Sequence, residues 1–553
     1  MAKKHSSKPK PKPVKKVKPS TPARNWLTEA NAFLGKYSRW VAGFVFGLSL
    51  LLSAIYYLQA KDSAIMSYHR WTNSDMAFFD EWGQYLAKGD IWCDTLLHPF
   101  HNWHNDLAGQ YFDRYPDIKA QYRADESNTD SARRALINDI YKGKTYHQEP
   151  LYAYMLAATY SIFGHDVKWV YFWQFLLAAF TSVLVFLVGK NLFNPLTGLL
   201  ASLFVTLCGT IMIFEMTLLR TTMTNFFTIL LLYLFLIVLE KPTLKKQIVF
   251  GAASGIALLG QSFLILFLLP AWGWFLWTHR KSLKEILPGF AANIAALLLM
   301  MMPLFIRNVK VDVPVTALAS QGAMAYIPMN IKETYPMESF YIHMPSLVQI
   351  RHDSGGKMLR AVGECLKTFD NFSSFWKVYK QKINGLFMWY EIPNNVNYYL
   401  FSEIAPVLKA MPVRYFFIAP LGLVGLAFGI WRYRWKMLPI ILLTVVSITP
   451  MMIAGNLARY RTPLVILLAI LAAFFIVEML SQLYQKNYKA VGIGLVASVL
   501  AFLYTSNTVD KNIFTLMASD IDTFYRYHYM DRLVAMETSG DTEGYYQLTS
   551  QMV

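Results

Sequence analysis

The sequence predicts an all-α polytopic membrane protein: a bundle of about eleven transmembrane helices with mainly helical loops outside the membrane. Two observations carry this. Hydrophobic residues make up 55% of the chain and charged residues only 16%, whereas soluble domains carry about 25% charged residues. Apolar runs close to the ~20 residues needed to cross a bilayer recur along most of the sequence, among them Trp40 to Leu58, Trp169 to Val188, Thr221 to Leu239, Leu287 to Ile306 and Pro463 to Leu480.

The elements follow in chain order. Nine Lys/Arg and no acids lie in the first 25 residues, interleaved with Pro and Ser. Such a stretch cannot bury enough apolar surface to fold, so residues 1–39 read as a disordered basic cytoplasmic arm. Contact with anionic membrane lipid is preferred to a nucleic-acid tail, and no nucleic-acid partner is expected. No small-residue cleavage site follows Leu58, so the first apolar run is read as a retained span rather than a signal peptide.

With that arm inside, the first span delivers residues 59–168 to the extracytoplasmic side. Leu151 to Phe163 is too short to cross comfortably and is expected to lie at the outer interface. Ten further spans are expected near 169–189, 196–214, 221–239, 248–260, 264–277, 287–306, 413–431, 437–455, 462–481 and 488–504. On this count the basic turns at Lys241/Lys245/Lys246, Arg280/Lys281/Lys284, Arg432/Arg434/Lys436 and Lys486/Lys489 all face the cytoplasm. The stretch 248–277 is long for one helix and short for two. Its polar break, Gly260-Gln261-Ser262, favours a hairpin. The organisation is therefore an N-terminal transmembrane module at 40–306, a second extracytoplasmic region at 307–412, C-terminal helices at 413–506 and an extracytoplasmic tail at 507–553. In that tail, Ile521 to Leu533 could form one amphipathic helix.

Charge singles out the first large loop. Asp62 to Glu149 holds 14 of the chain's 35 carboxylates. Further charges recur at predicted outer helix ends: Glu215, Arg220, Arg307, Arg459 and Arg461. Each alone could be a headgroup anchor. Several arginines beside an acidic loop fit a phosphate site, because the guanidinium fork matches phosphate oxygens and never loses its charge. A carboxylate next to such a cluster points to transfer of a group from a lipid phosphate, with the carboxylate taking the acceptor's proton and the arginines neutralising the departing phosphate.

These stretches resemble the bacterial branch of the GT-C glycosyltransferases, which includes protein O-mannosyltransferases and the lipid A aminoarabinose transferase. Asp75-Met-Ala-Phe-Phe-Asp-Glu-Trp with Ala87-Lys-Gly-Asp90 is similar to the family's first-loop signature. His147-Gln-Glu-Pro-Leu-Tyr152 with Ile162-Phe-Gly164 is similar to its Pro-Leu-Tyr-Pro-Tyr element. Val188 to Phe193, Ile306-Arg-Asn308, Ser320-Gln-Gly322, Trp389 to Asn395 and Ala458-Arg-Tyr-Arg-Thr-Pro463 resemble later stretches in the same order. The resemblance implies a catalytic base at Asp75, with Asp80 and Glu81 as alternatives that otherwise read as a solvated helix face. It implies a substrate pocket at His147, Gln148, Glu149, Tyr152, Gln321, Tyr390, Glu391 and Asn394. Arg459 and Arg461 become the foremost phosphate ligands, with Arg220 and Arg307 behind them. It also implies a polyprenyl-phosphate-linked sugar donor, a protein, lipid or glycan acceptor, and a bacterial inner-membrane location. Where relatives often carry an arginine between the two short helices, this chain has Gln261. The Trp-Trp-Asp-Tyr-Gly signature of oligosaccharyltransferases is absent, which argues against en bloc transfer of an oligosaccharide to asparagine.

No cofactor is certain. His98, His101 and His104 with Asp106 make a zinc or manganese site imaginable, but histidines at i, i+3 and i+6 drift around a helix, and an interfacial segment rich in Trp and His is preferred. Cys208 reads as packing, while Cys93 and Cys365 lie in regions where a disulfide could form. Asn371-Phe-Ser373 matches a glycosylation sequon that chance explains. A lipid-linked polysaccharide polymerase or ligase remains the alternative, opposed by the acidic first loop. A transporter or flippase would call for buried mid-span charges and a helix repeat, and neither pattern is seen.

Overall fold

The computed structural model describes residues 26–122, 129–335, 342–506 and 536–550. Of the arm expected to be disordered over 1–39, residues 1–25 lie outside the described residues, as does the Ile521–Leu533 stretch, and the rest is corrected: Trp26–Lys36 forms a helix. The regular structure of the described residues is helical, with no β-strand among them beyond two isolated bridges. By length and composition, seven helical stretches are long and apolar enough to cross a membrane, and one of these, Tyr415–Ala454, is two helices joined by a 3-10 turn at Arg434–Met437. Leu151–Phe163, Pro195–Thr206 and Ser262–Thr278 are shorter apolar helices.

The Gln261 break makes the expected hairpin: one helix runs Leu244–Gly260, and after a 3-10 turn a second runs Ile265–Thr278. The expected span 196–214 is corrected. Its helix ends at Thr206, and the chain proceeds through a short helix at Gly209–Met212 and a 3-10 turn at Ile213–Met216. Backbone groups freed in an apolar setting must find partners, and here they do. Gln174 Nε2 donates to the carbonyls of Glu215 (3.0 Å) and Thr217 (2.9 Å), and Val413 N–H donates to Leu207 O (3.2 Å).

Helix pairs approach closely at small residues. A Cβ on Gly251 would lie 2.0 Å from Asn293 O, one on Gly255 2.5 Å from Leu297 O, and one on Gly425 2.1 Å from Leu471 O. Small residues let backbones meet in this way where lipid supplies no hydrophobic drive between helices. The helix Ala458–Tyr484 runs through the middle of the bundle and is buried along most of its length.

The charges sort to opposite ends. At one end Lys190 Nζ donates to Ser38 Oγ (2.8 Å), Arg432 pairs with Glu478 (3.5 Å), and Tyr433 packs on Phe193. At the other, Arg307 binds the carbonyls of Trp92 (2.8 Å), Cys93 (2.8 Å) and Lys144 (2.7 Å), and its guanidinium lies 4.0 Å from the Tyr146 ring centre. The three cysteines are free and buried. Cys93 packs in the main core with Trp82 and Tyr146, whereas Cys365 packs in a separate core with Ile327 and Leu347, so the two do not pair.

Candidate functional site

Ser74 starts the helix Asp75–Ala87: its Oγ accepts from Ala77 N–H (3.2 Å), satisfying one of the donors a helix start leaves open. Asp75 then sits in the first turn, where the positive end of the helix dipole favours a carboxylate. Phe78, Phe79 and Trp82 are buried in the same core as the helix Leu151–Phe163. Gly83 is what allows the two helices to meet, since a Cβ there would fall 2.7 Å from Leu156 Cβ.

That anchoring leaves Asp75 on the wall of a cavity of about 260 Å³. Aromatic rings (Trp71, Trp103, Tyr141, Tyr460), imidazoles (His101, His104, His147) and amides (Asn73, Gln321, Asn394, Asn395) line it together with Arg459. Arg459 Nη2 lies 2.6 Å from Asp75 Oδ2. Asn395 Nδ2 donates to the same oxygen (2.8 Å), and Gln148 Nε2 to Oδ1 (3.4 Å). Asn395 also accepts from Asp75 N–H (3.2 Å), so one side chain grips both backbone and carboxylate. It does this at φ +62°, a left-handed conformation that asparagine tolerates better than most residues.

The electrostatics follow. Burial by itself would raise the Asp75 carboxyl's pKa, but the charge of Arg459, His101 and the hydrogen bonds from Arg459 and Asn395 outweigh it and hold the group well below the usual carboxylate range. His101, His104 and His147 are all pushed down by burial, so they are neutral donors and acceptors near pH 7.

A smaller polar pocket of about 30 Å³ adjoins the cavity, lined by Gln148, Arg220, Thr224, Gln261, Arg459 and Tyr460. Arg220 forms a close ion pair with Glu149, whose other oxygen accepts from Ser262 N–H (3.0 Å) and Oγ (2.5 Å). Burial would raise Glu149, but Arg220 and Ser262 bring its pKa below the ordinary value. Gln261 occupies the turn as an acceptor for Thr224 Oγ1 (3.1 Å).

Of the residues singled out in the sequence, Asp75, His147, Gln321, Asn394 and Arg459 line the cavity, and Gln148 and Arg220 line the pocket beside it. The others lie elsewhere. Asp80 is buried on another face of its helix, bonded to Tyr160 Oη (2.5 Å), His165 Nε2 (2.9 Å) and Gln84 Nε2 (3.0 Å), and Glu81 is exposed. Arg461 borders neither cavity: it binds Met388 O (2.7 Å), Tyr390 O (3.0 Å) and Glu391 Oε2 (2.6 Å). Glu391 is thereby tied into a buried pair. Tyr390 stacks on Tyr399, and Tyr152 donates to Gln174 Oε1 (3.2 Å) within the core. Arg307 clamps loop carbonyls and borders an apolar cavity of about 360 Å³.

The histidine run divides its work. His101 N–H donates to His104 Nδ1 (3.0 Å) at the start of the helix Asn102–Arg114, His104 Nε2 bonds Tyr141 Oη (2.8 Å), and His98 bonds Gly143 O. Among the described residues no cluster has the make-up of a metal site. Asn395, Trp71, Trp103 and Tyr460 are cavity residues that no charge pattern marked. Asn395 closes the Trp389-to-Asn395 stretch that carries the resemblance, where only its neighbours Tyr390, Glu391 and Asn394 were singled out.

Residues 147–318 match the family model for dolichyl-phosphate-mannose-protein mannosyltransferase. None of the curated proteins compared matches the chain. Among solved structures, the chain is similar to the Archaeoglobus fulgidus oligosaccharyltransferase tethered to an acceptor peptide containing the NVT sequon. Identity is 12%, with 90% of this chain and 58% of that one covered, at a TM-score of 0.44. The archaeal oligosaccharyltransferase AglB from Archaeoglobus fulgidus, in complex with an inhibitory peptide and a dolichol-phosphate, gives 12% identity, 88% and 56% coverage and a TM-score of 0.42. The chain thus spans little more than half the length of these proteins.

Proposed function

We propose that this protein is a GT-C glycosyltransferase that moves a monosaccharide from a polyprenyl-phosphate donor to an acceptor hydroxyl at the extracytoplasmic face of a bacterial inner membrane. The observation that carries the reading is the 2.6 Å contact between Asp75 and Arg459 at a cavity wall that continues into the Arg220 pocket. A base and a phosphate site are thereby adjacent.

In this scheme the lipid phosphate sits against Arg459 and Arg220, and the sugar projects into the cavity. The acceptor hydroxyl gives its proton to Asp75 while its oxygen bonds to the anomeric carbon. The bond from that carbon to the phosphate oxygen breaks, and the phosphate leaves with the electron pair, neutralised by the guanidinium groups. Attack opposite the leaving group inverts the anomeric centre. Gln148 and Asn395 aim the carboxylate, and the aromatic, imidazole and amide lining suits a hydroxyl-rich ring. Sidedness rests on the segregation of basic turns to the end away from the cavity, which the positive-inside rule assigns to the cytoplasm.

The test offers purified protein a panel of polyprenyl-phosphate monosaccharides and follows release of the free lipid phosphate. Asp75→Asn is expected to fold normally and to lose about 10²–10⁴-fold in turnover. Normal transfer by Asp75→Asn, with loss in Asp80→Asn or Glu81→Gln, overturns the assignment.

A further inference from the structure

Arg459 serves two sites with one guanidinium. Its side chain lines both the 260 Å³ cavity and the 30 Å³ pocket, and its Nη2 holds Asp75 Oδ2 at 2.6 Å. Its Nε is buried and makes no hydrogen bond, so the group has donor capacity in reserve. Asp75, for its part, keeps two amide donors whatever Arg459 does: Asn395 Nδ2 at 2.8 Å and Gln148 Nε2 at 3.4 Å.

The small pocket's other arginine is already matched. Arg220 pairs with Glu149, and Ser262 fixes Glu149 through two further hydrogen bonds. The four charges Asp75, Arg459, Glu149 and Arg220 therefore sum to zero. An arriving phosphate gains a full positive partner only by taking a guanidinium from a carboxylate, and the looser of the two ion pairs is Arg459–Asp75. Among the described groups facing Asp75, the imidazoles of His101, His104 and His147 and the phenol of Tyr141 are neutral, which leaves Arg459 as the contested cation.

We propose that Asp75 and the donor phosphate compete for Arg459, so that a seated lipid phosphate draws the guanidinium towards Arg220 and unmasks Asp75 as the base. The proposal rests on the lipid-phosphate reading of the site. It makes donor binding the event that switches on the carboxylate, and it predicts obligatory order: donor before productive acceptor.

Binding of undecaprenyl monophosphate to the full-length protein in nanodiscs tests this without knowledge of the sugar. Asp75→Asn, although inactive in transfer, is expected to bind the probe about tenfold more tightly than wild type, because Arg459 is then uncontested. Arg459→Gln is expected to bind it more weakly, and adding Asp75→Asn to Arg459→Gln is expected to change nothing further. Arg459→Met replaces Arg459→Gln in the cycle if the latter does not fold. An unchanged or weaker affinity in Asp75→Asn overturns the proposal. So does an equal tightening in the Arg459→Gln background, which would mark plain charge repulsion. Failure of every variant to bind the probe removes the lipid-phosphate reading itself, whereas binding without coupling removes the competition alone.

Discussion

Arg459 and Arg461 stand two positions apart in the first turn of one helix, about 200° apart around its axis. The first faces the cavity and Asp75. The second points into the 388–391 loop and pairs with buried Glu391. Removing one partner of a buried pair strands the other charge, so Arg461→Gln is expected to destabilise the protein by about 3–5 kcal/mol. Arg459→Gln is expected to cost less, because Asp75 lines an open cavity and keeps Asn395, while transfer is lost. Thermal unfolding and lipid-phosphate release, measured on both variants, separate the two roles.

Lys382 offers a pH prediction of the same grain. Its Nζ donates to Asn330 Oδ1 (2.7 Å) and Met452 O (2.6 Å), and burial, opposed by Cys365, pushes its pKa down to about 7. The unfolded chain holds that proton up to about pH 10.4. Between these values the unfolded state binds more protons, so stability rises with pH, and this contribution is lost as pH falls through 7. Lys382→Met is expected to flatten the rise in melting temperature between pH 7 and 9.

At the scale of elements, the helix hairpin Leu244–Gly260 and Ile265–Thr278 was legible because a polar residue interrupts an apolar run at the place where the chain turns. The interruption after Thr206 was not. Residues 207–214 are themselves mostly apolar, and the groups that stabilise the unwound backbone, Gln174 and Val413, come from distant parts of the chain. Helix pairing hangs on small residues instead of on polarity. Gly251→Val would drive a side chain into the Asn293 carbonyl and is expected to cost at least ~1–3 kcal/mol, read as a lowered melting temperature with helicity retained.

Across the whole molecule, the basic turns gather at one end of the bundle and the Asp75 cavity opens at the other. A cysteine placed at exposed Glu81 is expected to react with an impermeant thiol reagent added to intact cells, and one at Lys245 only after the membrane is opened. The native cysteines are all buried, which keeps the background low. The reverse pattern would place the cavity in the cytosol and remove the sidedness on which the proposed donor depends.

Composition and the length of apolar runs by themselves determined that this chain is a membrane-embedded helical bundle, because burial in lipid demands continuous apolar helices and leaves that demand in the local sequence. They also pointed to an acidic loop and a set of arginines as its chemistry. Only the tertiary structure decided which members of that set meet. Asp75, Gln148, Asn395 and Arg459 converge from separate segments, while Asp80, Arg307 and Arg461, of the same residue types, support the frame. A side chain's partner depends on the direction in which its helix face is packed, and that direction is set by contacts hundreds of residues away.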